Sequence, residues 1–231
     1  MRTRLPRAVS LALPALAAFV VTGCPAQDDA PPPPPPQGGA PAEAGEDAPV
    51  RAPTSGKIEL KDGQGNEVLA IKWKEDGAKV ADGQGNELVR LKIDGAKLKL
   101  KGPDDQALGS ISGDARKLKI KDAQGAEQFV LRRQDDGDWK LETAQDQLLA
   151  KIKRRADGWK VEDGSGAERF QVVAREGKVS LRRVEADGKE TPVYTTREGL
   201  APLAIASLAL DALSREQQLA LMVRLHLAQP E

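Results

Sequence analysis

The chain carries one cysteine, one histidine and few aromatic residues, and each scarcity removes a class of function. With Cys24 alone, no disulfide can staple the fold and no cysteine metal cluster can be assembled. His226 alone leaves no Ser-His or Cys-His pair and no histidine-based metal site. Aromatics make up 3% of residues, so the core must be aliphatic and there is little material for a base-stacking platform, which needs exposed aromatics on a basic groove. Lys+Arg and Asp+Glu both number 35, so no global field draws nucleic acid to the chain. Carboxylates are abundant, but they fall in turns or on outward strand faces. Paired acid-base work needs one of them in an apolar cleft. Only Asp211 lies in apolar sequence, where burial at a helix end or at a lumen mouth competes with a functional role. Ser165 sits between Gly164 and Gly166, which makes a turn and not a nucleophile elbow. The expectation is a non-enzyme without catalytic residues, cofactor or metal.

What the chain does have begins with an address. Arg2, Arg4 and Arg7 form a basic n-region, and Ala8 to Val21 an apolar h-region. The segment ends in Val21-Thr22-Gly23-Cys24, which resembles the lipobox of bacterial lipoproteins. That resemblance implies a signal peptide over 1–23, cleavage before Cys24, and lipidation of Cys24 on its sulfur and new N-terminus. Each buried CH₂ adds about 0.8 kcal/mol, so three acyl chains anchor stably in a lipid bilayer. Pro25 stands where an Asp often signals inner-membrane retention, which favours the outer membrane of a cell envelope, on its periplasmic or surface face.

Residues 24–56 are Pro, Ala, Gly and acids, with six consecutive prolines from Pro31 to Pro36. Such a composition cannot bury enough surface to fold, and the proline run reads as a polyproline II spacer. The segment is an acidic tether, with a proline-recognition ligand as the alternative reading.

From Lys57 the chain repeats itself. A Lys followed by an aliphatic residue recurs at Lys57, Lys79, Lys97, Lys117, Lys140, Lys160 and Lys178, near a period of 20. Wide turns of the Asp-x-x-Gly kind begin at Asp62, Asp82, Asp122 and Asp163. They alternate with tight pairs such as Asp76-Gly77, Asp94-Gly95, Asp136-Gly137 and Asp157-Gly158. Between turns, apolar and charged residues alternate, as in Lys57-Ile-Glu-Leu-Lys61, so one strand face is buried and one is wet. Seven hairpins over 57–196 predict about fourteen strands, too many for an open twisted sheet.

Leu200 to Leu213 has only Ser207 and Asp211 as polar residues, and a helix apolar all round must be enclosed. Pro202 suits its first turn. Ser214 and Gln217 are placed as a capping box, predicting a second, amphipathic helix over 214–228. Its Leu219, Met222, Val223 and Leu225 are expected on the barrel mouth or rim. The fold expected for 57–228 is mainly β: a closed antiparallel up-and-down barrel of about 12–14 strands around a hydrophobic C-terminal helix at 200–213. This pattern resembles the tubby-like C-terminal superfold, shared by tubby proteins, phospholipid scramblases and the LURP-one-related family. The resemblance spans 57–213 and rests on the recurrent Asp-x-x-Gly turns between Lys-Val/Leu strands and on the apolar helix. It implies a barrel that can bind phospholipid, although no tubby site residue finds a match here.

Other features have simpler explanations beside functional ones. Asp-Gly-x-Gly-Asn resembles fragments of calcium loops, but each loop offers one Asp and one later Glu where calcium wants six to eight oxygens. Trp73, Trp139 and Trp159 read as core or rim packing, or as a ligand platform. The Lys-rich strands Lys97-Leu-Lys-Leu-Lys101 and Lys117-Leu-Lys-Ile-Lys121 read as a solvated exterior, or as a seat for anionic phospholipid. The function expected is a non-catalytic, membrane-anchored structural or partner-binding module that takes an envelope protein as partner. A phospholipid-binding barrel is the alternative.

Overall fold

The computed structural model describes residues 56–197 and 199–228. Fourteen strands follow one another without interruption. The first seven are β1 (Lys57–Lys61), β2 (Glu67–Lys74), β3 (Gly77–Asp82), β4 (Glu87–Asp94), β5 (Lys97–Lys101), β6 (Ala107–Gly113) and β7 (Lys117–Lys121). Then come β8 (Glu127–Arg133), β9 (Trp139–Thr143), β10 (Leu148–Arg155), β11 (Gly158–Asp163), β12 (Glu168–Arg175), β13 (Lys178–Val184) and β14 (Glu190–Thr196). Each pairs antiparallel with its neighbour in sequence, and β1 meets β14 to close the ring. Up-and-down closure leaves no free edge strand. The predicted signal, the tether and Cys24 lie outside the described residues.

Period-two alternation decides which way each side chain faces. Ile58 and Leu60 are buried while Lys57 and Lys61 are exposed. Ile58 stands opposite Ile71, Ile71 opposite Val80, and Val80 opposite Val89, so one apolar ring passes from strand to strand. Such directly opposed pairs are the unit of sheet stabilisation. The wide turns are closed by their own Asp. In the first, Asp62 Oδ1 accepts from the Gln64 amide at 2.8 Å and the Asn66 amide at 2.9 Å, with Gly65 at φ 92°. Asp82, Asp122 and Asp163 repeat this arrangement. Between β9 and β10 the Thr143 hydroxyl takes the same role.

The C-terminal segment departs from the sequence expectation in two ways. Leu200 to Leu213 is not one helix: α1 covers Pro202–Ala206, a single 3₁₀ turn covers Ser207–Ala209, and the chain then turns at Leu210. The second helix, α2 (Arg215–Leu227), has the expected capping box at Ser214 and Gln217 but is not an amphipathic rim element. Gln218 to Leu225 are buried without a break. At 3.6 residues per turn, that is more than two turns with no wet side. The reason lies in its polar residues. Arg215, Glu216, Gln217 and Gln218 all sit in the first turn instead of marking a stripe, and the buried ones are satisfied from inside. The Gln218 side-chain amide donates to Leu210 O at 3.1 Å, and Ser207 Oγ donates to Gln218 O at 3.1 Å.

Helix α1 lies against β11, β12 and β13, α2 against β4, β5 and β6, and the two helices against each other. In a ring of fourteen strands, β12 and β5 are diametrically opposed. Inward strand residues and both helical segments form one buried aliphatic cluster, including Leu60, Ile111, Ile152, Ile205 and Leu221.

Candidate functional site at the tight-turn mouth

The alternation of turns gives the barrel two unlike ends. The wide Asp turns gather at one end and the tight turns at the other, because every strand reverses the chain. At the tight-turn end, the inward rows of the six even-numbered strands from β2 to β12 finish at Trp73, Ile93, Gly113, Arg133, Arg154 and Ala174. These positions recur every 20 or 21 residues, so they are one position of the repeat. Four are apolar or lack a long side chain. Arg133 and Arg154, in two successive repeats, carry charge where the pattern asks for none.

Register fixes what stands beside them. Arg133 is directly opposite Trp139, and Arg154 directly opposite Trp159. Trp139 is buried and Trp159 half-buried, while Arg133 and Arg154 are exposed. The C-terminal end of α2 leans on the other side of the mouth. There the His226 ring lies 5.5 Å from the Trp73 ring, and Arg224 Nη2 donates to Gly113 O at 2.6 Å. Over β7 to β11 the mouth stays open, forming a cavity of about 620 Å³. Leu118, Trp139, Trp159, Leu203 and Leu225 give it apolar walls, with Arg133 and Arg154 among its lining. That volume falls in the range of about 300–1,000 Å³ usual for small-molecule sites.

The charges around the cavity are unevenly spent. Asp157 is ion-paired to Arg175 at 2.8 Å, which together with hydrogen bonding holds its carboxyl below the usual range. Asp114 accepts from the amides of Arg116 and Lys117 at 2.7 and 2.8 Å. Asp138 accepts from the Arg154 amide at 2.8 Å, so it fixes that strand's backbone and leaves the guanidinium alone. Among the described residues, neither Arg133 nor Arg154 has a carboxylate within ion-pair distance. His226 is more than half-buried, and burial pushes its imidazole below the ordinary value of 6.5.

The other candidates from the sequence fall elsewhere. Asp211 is exposed at the turn between the helical segments, not buried at a helix end. The Ser165 hydroxyl is hydrogen-bonded to Asp163 within its turn. In the wide turns the Asp Oδ1 atoms are engaged by loop amides. The later glutamates pair with lysines: Glu67 with Lys57, Glu87 with Lys79, Glu127 with Lys119 and Glu168 with Lys160. Of the Lys-rich outer face, Lys57, Lys99, Lys101 and Lys119 are also held in ion pairs. Of the tryptophans, Trp139 and Trp159 line the mouth cavity. Arg133 and Arg154 were not singled out by sequence reasoning, yet aligning the hairpins on Leu69, Val89, Gly109, Phe129, Ala150 and Phe170 exposes them.

No protein-family model matches the chain, and no curated protein matches it. Among solved structures, an X-ray structure of an Arabidopsis thaliana protein is similar over 73% of this chain and 94% of its own, at 17% identity and a TM-score of 0.36.

Proposed function

We propose that this chain is a lipid-anchored protein of a bacterial cell envelope whose barrel is a non-catalytic binding module. Its C-terminal helical segments serve as the filler of the lumen, and its binding seat is the tight-turn mouth. The anchoring half rests on the basic n-region, the h-region and the lipobox ending at Cys24. The binding half rests on one observation, the cavity left beside the helix ends. Protein interiors pack to crystal-like density. The inward strand residues and helical segments form one buried cluster, so a mouth left open over two tryptophans is a place for something else.

The phospholipid-binding alternative keeps support, but from a different surface. Half of the lysines expected to hold headgroups are tied to carboxylates. The mouth arginines are not. Two measurements test the proposal. Replacing Cys24 with Ser should release the protein from the membrane fraction, and persistent membrane fractionation of Cys24→Ser would defeat the anchoring half. Protein extracted from its own envelope should show a bound adduct in non-denaturing mass spectrometry. That adduct should vanish in Ala174→Trp, which fills the cavity. Bare protein in both samples would defeat the binding half.

A further inference from the structure

The mouth cavity combines an apolar floor with three arginines, Arg133, Arg154 and Arg155, and two aspartates. Arg155 donates to the Arg154 carbonyl at 2.7 Å, which leaves Arg133 and Arg154 to specify a ligand. Arg133 and Arg154 lie on strands separated by β9. Trp139 of β9 stands opposite both Arg133 and Ile152, so Arg154 is two residues further along. Two strand spacings across and two residues along put their Cα atoms roughly 12 Å apart. Both side chains are long enough to converge on one group between them. Guanidinium presents a planar fork of donors that suits carboxylate and phosphate oxygens. Neither guanidinium is committed to a carboxylate among the described residues, while the two carboxylates lining the cavity, Asp114 and Asp157, are committed to backbone amides and to Arg175. Beside the arginines the surface turns apolar within one residue pair. Trp139 and Trp159 stand directly across from the arginines, and Leu118, Leu203 and Leu225 follow.

A purely structural mouth has no use for this arrangement. The same repeat position is Trp73, Ile93, Gly113 and Ala174 in the other even strands, and around Trp73 and Gly113 the wall is met by α2 residues. Arginine replaces those residues in the two repeats over the opening. We infer that the mouth binds an anionic amphiphile: a carboxylate or phosphate head held between Arg133 and Arg154, with a single apolar chain lying on Trp139 and Trp159 toward Leu203 and Leu225. This inference rests on the mouth being a binding seat and adds the class of ligand.

The test uses the full chain carrying Cys24→Ser, so that its own acyl groups do not compete. Tryptophan emission is followed while hexadecanoate, hexadecyl phosphate, hexadecanol or inorganic phosphate is added below micellar concentrations. Hexadecanoate and hexadecyl phosphate should bind, and the ratio of their affinities separates a carboxylate preference from a phosphate preference. Hexadecanol and inorganic phosphate should each bind at least tenfold more weakly. Arg133→Gln with Arg154→Gln should weaken both amphiphiles at least tenfold with an unchanged melting temperature, since both side chains are exposed. Lys119→Gln with Lys121→Gln, on the outer face, should change nothing. Trp139→Phe should shrink the emission change, which places the chain on that side of the mouth. Equal binding of hexadecanol, or undiminished binding by a folded arginine double variant, would overturn the inference. So would inorganic phosphate binding as tightly as hexadecyl phosphate. An envelope adduct that proves uncharged would also overturn it, while leaving the binding module itself standing.

Discussion

Gln218 and Arg224 stand near the two ends of the buried stretch of α2, and each is answered by a backbone carbonyl from another part of the chain. Leu210 O also accepts from the Leu213 amide at 2.9 Å, so losing the Gln218 bond removes one of its two donors, at about 0.5–1.5 kcal/mol. Gln218→Ala should therefore lower stability by that amount in a denaturant melt. A silent Gln218→Ala would mean that the Leu213 amide alone satisfies Leu210 O. Arg215 sits higher on the same helix, donating to the Tyr194 hydroxyl at 3.0 Å with its guanidinium 5.5 Å from that ring. His226 sets a pH dependence whose sign follows from burial. Its folded value is below its unfolded value, so its contribution is intact above about pH 6.5. As pH falls below that, the unfolded chain takes up the proton first and stability is lost until the folded value is passed. The turn aspartates act lower. Asp62, Asp82, Asp122 and Asp163 are all held below the ordinary range, chiefly by hydrogen bonds to their own loops, so their contribution is lost only beneath about pH 4. His226→Phe should flatten the stability profile between pH 7 and 5 and leave the acid limb in place. An unchanged slope in that interval would show that His226 is not the titrating group.

At the scale of elements, the ring is not equally strong all round. The β12–β13 ladder has six registered positions and β2–β3 also has six, whereas β1 and β14 share one, Lys61 opposite Thr195. Backbone amides at that seam should exchange with solvent faster than those between β12 and β13, since local opening follows the thinnest hydrogen bonding. Equal protection across both ladders would remove the seam as the weak point. The strands themselves were legible because two local rules coincide: alternation such as Lys117-Leu-Lys-Ile-Lys121, and an Asp whose carboxylate closes its own turn. Closure was also legible, from strand number. The role of α2 was not, because its burial is decided by partners that no local pattern carries. Arg224 finds Gly113 O across a sequence separation of 111 residues. Read locally, Arg224 and the polar first turn suggest a wet face; in the fold both are accommodated and the helix is enclosed. The mouth arginines needed a third kind of reading, comparison of one repeat with the next, because only there does a charge at Arg133 and Arg154 stand out from Trp73, Ile93, Gly113 and Ala174.

For the molecule as a whole, the question is whether the strand ring can stand without its C-terminal segment. The helical segments connect opposite walls of the barrel. Helix α1 rests on β11 to β13, α2 on β4 to β6, and the helices on one another, so apolar contact crosses the barrel through them. Ile205 and Leu221 are completely buried in that span. Removing the span would leave the rings that include Leu60, Ile111 and Ile152 facing a void or water. A residual cavity costs roughly 24 cal/mol per Å³, so a void of several hundred Å³ costs on the order of 10 kcal/mol. A domain of this kind has about 5–15 kcal/mol in total. Ending the chain at Glu198 should therefore abolish the cooperative thermal transition instead of lowering its midpoint. Ile205→Asp and Leu221→Asp should do nearly the same, because each buries an unpaired charge. Leu221→Ala, which only opens a cavity, should cost about 2–5 kcal/mol and still melt cooperatively. Arg133→Gln at the open mouth should leave the melt where it is. The decisive comparison is between the shortened chain and the full one. If the shortened chain unfolds cooperatively near the same temperature, the ring packs on itself and the helical segments are ornaments of the lumen, not its core.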